Sequence, residues 1–129
     1  MKSKIWRIGV ALALLTSCAA DPDDLVAPTT TVAVSLTGVT VRVRAIDNNF
    51  RPKSLEAKVG DLVEFSNGGR NDHDVTPSDK GAKWGVVLAD FVPKATYSHV
   101  FTEPGVYEFY CTIHGTNKVG MVGSITVTK

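Results

Sequence analysis

From Val39 onward, apolar and polar residues alternate with a period of two. In Val39-Thr40-Val41-Arg42-Val43-Arg44-Ala45 the apolar side chains fall on one face and the polar ones on the other, the pattern of a half-buried β-strand. The same pattern predicts strands over 54–59, 62–66, 73–76, 86–91, 96–101, 105–110 and 122–128. Turn signals separate them at Gly60-Asp61, Asn67-Gly68-Gly69, Pro77-Ser78-Asp79-Lys80-Gly81, Pro104-Gly105 and Gly120. Short strands at regular spacing, with no helical period, predict one all-β domain, a sandwich or barrel.

Before this domain the pattern is different. Lys2, Lys4 and Arg7 precede an uninterrupted apolar run over 8–15, the n-region and h-region of a secretory signal peptide. The run is shorter than the roughly 20 residues needed to span a bilayer. Leu15-Thr16-Ser17-Cys18 then resembles a bacterial lipobox, which implies cleavage before Cys18 and its lipidation. An ordinary signal peptide cut near Ala19 or Ala20 is the alternative. Both readings predict a protein outside the cytoplasm; the lipobox predicts a membrane-anchored lipoprotein, in the periplasm or on the outer surface of a bacterium. Residues 19–37, with Asp-Pro-Asp-Asp, Ala-Pro and Thr-Thr-Thr, read as a disordered tether. About 20 extended residues at ~3.3 Å each reach on the order of 60 Å. The expected organisation is a signal peptide over 1–17, a lipidated cysteine and linker over 18–38, and a folded domain over 39–129.

Composition narrows the function classes. The 129 residues suffice for one domain, and 43% hydrophobic with 21% charged residues is an ordinary globular mix. Formal charge is +1. Without the three basic residues of the signal segment, 11 basic residues face 13 acidic ones, so no nucleic-acid partner is expected. The two cysteines, Cys18 and Cys111, each have a separate explanation, and no disulfide is predicted.

The chemistry lies near the C-terminus. Cys111-Thr112-Ile113-His114 closes an aromatic strand, Met121 opens the next, and His73 stands upstream after a glycine-rich turn. One thiolate, two imidazoles and one thioether form the donor set of a blue-copper site, a trigonal His₂Cys plane with a weak axial Met. Each residue alone has a plainer reading: His73 as a surface loop residue, Cys111 and Met121 as core packing. The combination sets them apart, because the spacing lets one hairpin loop present sulfur and imidazole to a single metal. His99, inside a predicted strand, reads as structural.

Three other chemistries could use these residues. A Cys–His pair can act as nucleophile and base, but Cys111 and His114 are joined by a short turn and no third orienting group is evident, so no enzyme is expected. Structural zinc prefers four strong ligands, and a thioether is a poor fourth. Copper delivery, the alternative to electron transfer, usually comes with Met-rich or His-rich tracts; the whole chain has two methionines and three histidines.

Phe109-Tyr110-Cys111-Thr-Ile-His114-Gly115, followed by Gly120-Met121-Val122-Gly123, resembles the C-terminal copper loop of the cupredoxins, most closely plastocyanin-like and halocyanin-like members. Gly60–Asn67, His73-Asp74-Val75 and Pro104–Tyr107 resemble the segments that lead to the first copper histidine and to the copper cysteine. The resemblance implies a Greek-key β-sandwich and one type 1 copper ion held by His73, Cys111, His114 and Met121. It implies a hydrogen bond from the Asp74 backbone N–H to the Cys111 sulfur. It also implies a monomer that passes single electrons between protein redox partners, with Gly115, Val119, Gly120 and Pro77 expected as an apolar rim around His114. Six residues separate His114 from Met121, two more than in plastocyanin.

Overall fold

The computed structural model describes residues 33–129; the signal segment, Cys18 and most of the linker lie outside the described residues. Eight strands follow one another: β1 (Thr40–Ile46), β2 (Asn49–Arg51), β3 (Ser54–Lys58), β4 (Leu62–Asn67), β5 (Thr76–Pro77), β6 (Thr96–Val100), β7 (Gly105–Gly115) and β8 (Gly120–Thr128). They form two four-stranded sheets, ordered β2-β1-β4-β6 and β3-β8-β7-β5. β1 pairs with β4, and β3 with β8, in parallel, so strands distant in sequence lie side by side. The all-β, two-sheet expectation holds.

The inward positions of the period-two pattern build the core between the sheets. Val43 and Ala45 of β1, Val63 and Phe65 of β4, Phe109 of β7 and Ile125 and Val127 of β8 are all buried. Burying a side chain such as Phe or Ile contributes about 1.5–3 kcal/mol. Phe109 is central: its ring lies 4.8 Å from Phe50 and 5.3 Å from Phe65, both edge-on. Gly123, its register partner in β8, has no side chain because the ring fills that space; a Cβ there would stand 2.4 Å from Phe109 Cζ.

Two predicted strands are not strands. Over 73–76 only Thr76 is in a strand, and Val75 forms an isolated bridge to Val86. Beyond Val86, the 86–91 segment turns into a 3₁₀ helix, Leu88–Asp90. The apolar run misled because Val87 points to solvent while Phe91 is buried, and the amides of Asp90 and Phe91 bond back to Val87 and Leu88. β2 was not predicted; only Phe50 of its three residues is buried. Contacts of the fold begin before residue 39, where the Thr37 amide bonds to the Gly60 carbonyl and its hydroxyl to Asp61.

Candidate metal centre

β7 continues through Cys111 and His114 to Gly115, so these residues lie on a strand and not beyond its end. Pairing between β7 and β8 is regular up to Tyr110↔Val122 and resumes at Gly115↔Gly120. Four residues, Cys111 to His114, therefore stand opposite the single residue Met121. This bulge is what turns the cysteine and the histidine to one side, a common use of β-bulges. The two residues beyond the plastocyanin spacing are absorbed in the hairpin turn, closed by the Thr116 amide on the Val119 carbonyl at 2.9 Å.

His73 arrives from the other side of the sandwich on a loop organised by Asn67. This side chain, buried at the end of β4, donates to the carbonyls of Asn71 (2.9 Å) and Phe91 (2.8 Å) and accepts from the Gly69 amide (3.1 Å). The His73 amide bonds to the same Phe91 carbonyl. In the sequence Asn67 stands as a turn signal and as the end of the segment that resembles the approach to the first copper histidine. Its role depends on the 3₁₀ segment 24 residues away, and no local pattern carries it.

The donor atoms converge. Cys111 Sγ lies 3.7 Å from His73 Nδ1 and 3.5 Å from His114 Nδ1, and the two Nδ1 atoms are 3.1 Å apart. A point equidistant from all three lies about 2 Å from each, which matches the ~2.0 Å and ~2.3 Å lengths of imidazole and thiolate bonds to zinc. Two imidazole nitrogens and a sulfur at these separations fit a first-row metal of the softer kind, with no oxygen donor among them. His73 and Cys111 are 0% exposed, Met121 is 1% exposed and His114 is half-buried.

Electrostatics favour metal over protons. Burial, and then the neighbouring His114, lower the proton affinity of His73, which keeps its imidazole neutral. Burial pushes the Cys111 thiol up, opposed by the backbone N–H groups of Asp74, Ile113 and His114, which favour the thiolate. An unmetallated Cys111 is thus a buried thiol, whereas a bound metal deprotonates it. The Asp74 N–H is among these groups. Its carboxylate adds a contact that was not foreseen, accepting from the Thr112 amide at 2.7 Å and from the Thr112 hydroxyl.

Around His114, Ile113 and Val119 are exposed apolar side chains. Pro77, expected in this rim, pairs instead with Phe109 in β5 and lines a cleft with Trp84 and Tyr107. His99 faces inward on β6 between Trp84 (6.0 Å) and Phe101 (4.7 Å), apart from the three converging donors.

Residues 37–128 match the model of the copper binding proteins, plastocyanin/azurin family. The chain is 32% identical to chloroplastic plastocyanin of Hordeum vulgare over 85 residues, 60% of this chain and 54% of that protein. It thus spans about half the length of the curated relatives it matches first. Among solved structures, a reduced amicyanin variant superposes with a TM-score of 0.60 at 25% identity, covering 72% of this chain and 86% of that one. The copper-containing nitrite reductase of Thermus scotoductus is 32% identical with a TM-score of 0.59; the match covers 86% of this chain but only 27% of the enzyme.

Proposed function

The chain belongs to the plastocyanin/azurin family of copper-binding proteins, and on that premise we propose that it carries single electrons between protein partners outside the cytoplasm, with copper held by His73, Cys111, His114 and Met121. The observation that carries the reading is the buried triangle of two imidazole nitrogens and one sulfur. Copper bound there supplies one-electron chemistry between its two common valences, since thiolate and thioether suit Cu(I) and imidazole suits both.

The chain's own residues do the rest. The bulge and the Asn67-braced loop fix the donors before metal arrives, so little rearrangement accompanies a change of valence. Burial of His73 and Cys111 keeps water from the sulfur. The N–H groups around Cys111 stabilise its negative charge and so tune the potential, as outer hydrogen bonds at metal sites do. His114, half-buried between exposed Ile113 and Val119, is the ligand edge a partner can approach.

Copper delivery fits less well, because hand-over by ligand exchange needs accessible donors, and two of the three here are fully buried. The nitrite reductase likeness covers about a quarter of that enzyme, and no second cluster of metal-binding side chains occurs among the described residues. The lipobox-like Leu15–Cys18 and the apolar run before it support a tethered, membrane-anchored protein.

The test is the optical spectrum and voltammetry of copper-loaded protein beside a Cys111→Ser control. The expected result is an intense blue band and reversible one-electron reduction, both lost in the control. A colourless copper-loaded wild type overturns the reading.

A further inference from the structure

The outward face of the β2-β1-β4-β6 sheet carries an arrangement that folding alone disfavours. Arg44 of β1 and Arg51 of β2 are direct register partners, both exposed. Like charges placed opposite each other across two strands are destabilising. The only salt bridge among the described residues is Arg42–Glu64 at 2.9 Å, so no carboxylate of those residues lies within bridging distance of Arg44 or Arg51. Arg44 pairs on its other side with Ser66, and Ser66 with Thr96. Residues in register share a face, so Arg51, Arg44, Ser66 and Thr96 form one row across four strands. At about 4.8 Å per strand the row is roughly 14 Å long. It presents two guanidinium groups and two hydroxyls, and no acid.

This row adjoins the metal centre. The Gly68 amide bonds to the Ala45 carbonyl, next to Arg44, and the Arg44 guanidinium lies over Gly68, where a Cβ would stand 2.8 Å from Nη2. The following Gly69 packs on His73; a Cβ there would stand 3.4 Å from His73 Nε2. Gly68 and Gly69, neither with a side chain, thus lie between Arg44 and the ring of a buried donor, with Asp47 also packed against Gly69.

We propose that this face docks a carboxylate-rich protein surface, the Arg44–Arg51 pair taking its acidic side chains and Gly68-Gly69 bringing the partner close to His73. The docking role rests on the electron-carrier reading above. Arginine forks take carboxylates in bidentate geometry, and opposite charge on a partner relieves the repulsion between the pair. Docking through complementary charge acts mainly on encounter rate and orientation, and it weakens with salt.

The test uses the mature chain from residue 19 onward, so that neither the signal segment nor a lipid anchor contributes. The probes are an acetylated deca-glutamate peptide and vesicles containing phosphatidylglycerol. At low salt the peptide is expected to shift the amide resonances of Arg44, Arg51, Ser66 and Thr96. The double variant Arg44→Gln/Arg51→Gln is expected to bind the peptide at least fivefold more weakly and to melt no lower than the parent, while its copper-loaded form stays blue. A control, Lys80→Gln/Lys83→Gln, is expected to bind as the parent does. Equal weakening in both variants, no peptide binding, or binding to the vesicles in place of the peptide overturns the proposal. A colourless parent protein instead overturns the electron-carrier reading, whatever the peptide does.

Discussion

The carboxylate of Asp74 takes both hydrogen bonds that Thr112 can donate, the amide at 2.7 Å and the hydroxyl beside it. Asp74 follows His73 in the chain, and Thr112 follows Cys111. One buried side chain therefore fastens the two segments whose donors meet at the metal centre. Its two oxygens each accept one of these hydrogen bonds.

Two substitutions separate the clamp from the charge. Asp74→Ala removes hydrogen bonds to a charged acceptor, worth about 1.5–3 kcal/mol; denaturant unfolding of the metal-free protein should report a loss of that order. Asp74→Asn keeps the shape and one acceptor but removes a negative charge beside the cysteine sulfur. The oxidised site carries one more positive charge than the reduced one, so losing this charge raises the reduction potential. Voltammetry of blue Asp74→Asn protein should show the rise, and an unchanged or lower potential counts against an electrostatic role.

Met121 stands opposite the whole Cys111–His114 bulge. Met121→Leu is close to volume-conserving and should cost less than about 1.5 kcal/mol in the metal-free protein. With copper, the His₂Cys plane remains and so does the blue colour. The axial ligand tunes the potential of such a site, so loss of the thioether from the metal shifts it. A variant with an unchanged potential and spectrum would mean that Met121 is core packing and no ligand.

What the sequence disclosed depended on how local the cause was. The β1 alternation was legible because inward Val43 and Ala45 and outward Arg42 and Arg44 are dictated by pleat geometry alone. Cys111 and His114 were legible because only two residues separate them. The bulge that aims them was not, since it arises from a mismatch of length between β7 and β8. The loop around His73 was misread as strand because its hydrogen bonds go to Asn67 and Phe91, partners fixed only once the two sheets have met. The Asp74–Thr112 clamp spans 38 residues and has no local signature.

His99 gives the protein an acid sensitivity independent of copper. Burial between Trp84 and Phe101 lowers its proton affinity below the ordinary value of about 6.5. The unfolded chain therefore takes up the proton first as pH falls. The stabilising contribution of neutral His99 is complete above about pH 6.5 and is lost as pH drops through the lower folded-state value. His73 shifts in the same direction in the metal-free protein, so the comparison that isolates His99 is wild type against His99→Phe. The stability difference between pH 7.5 and pH 5 should shrink in the variant; an identical pH profile would assign the effect elsewhere.

Gly123→Ala tests the core without touching the donors. The new methyl would stand 2.4 Å from Phe109 Cζ, and Phe109 is held edge-on by Phe50 and Phe65. The ring has no free direction, so overpacking should cost about 1–3 kcal/mol, read as a lower melting temperature. The blue band of the folded, copper-loaded variant should change little.

Gly120→Ala should do the reverse, harming the site more than the core. Gly120 has φ +91°, a conformation that side chains rarely adopt, and a Cβ there would lie 2.5 Å from the His114 carbonyl oxygen. Its register partner Gly115 is equally crowded, with the Val119 carbonyl 2.6 Å from its own Cβ position. The hairpin cannot yield at Gly115, so the strain falls on the backbone of His114 and displaces its imidazole from the other two donors. Alanine at positive φ destabilises by more than about 1 kcal/mol, but the larger effect expected is weaker copper retention and an altered visible spectrum. Competition with a chelator of known affinity, run on Gly120→Ala and Gly123→Ala together, measures this. If the two lose copper equally, the hairpin glycine has no special hold on His114.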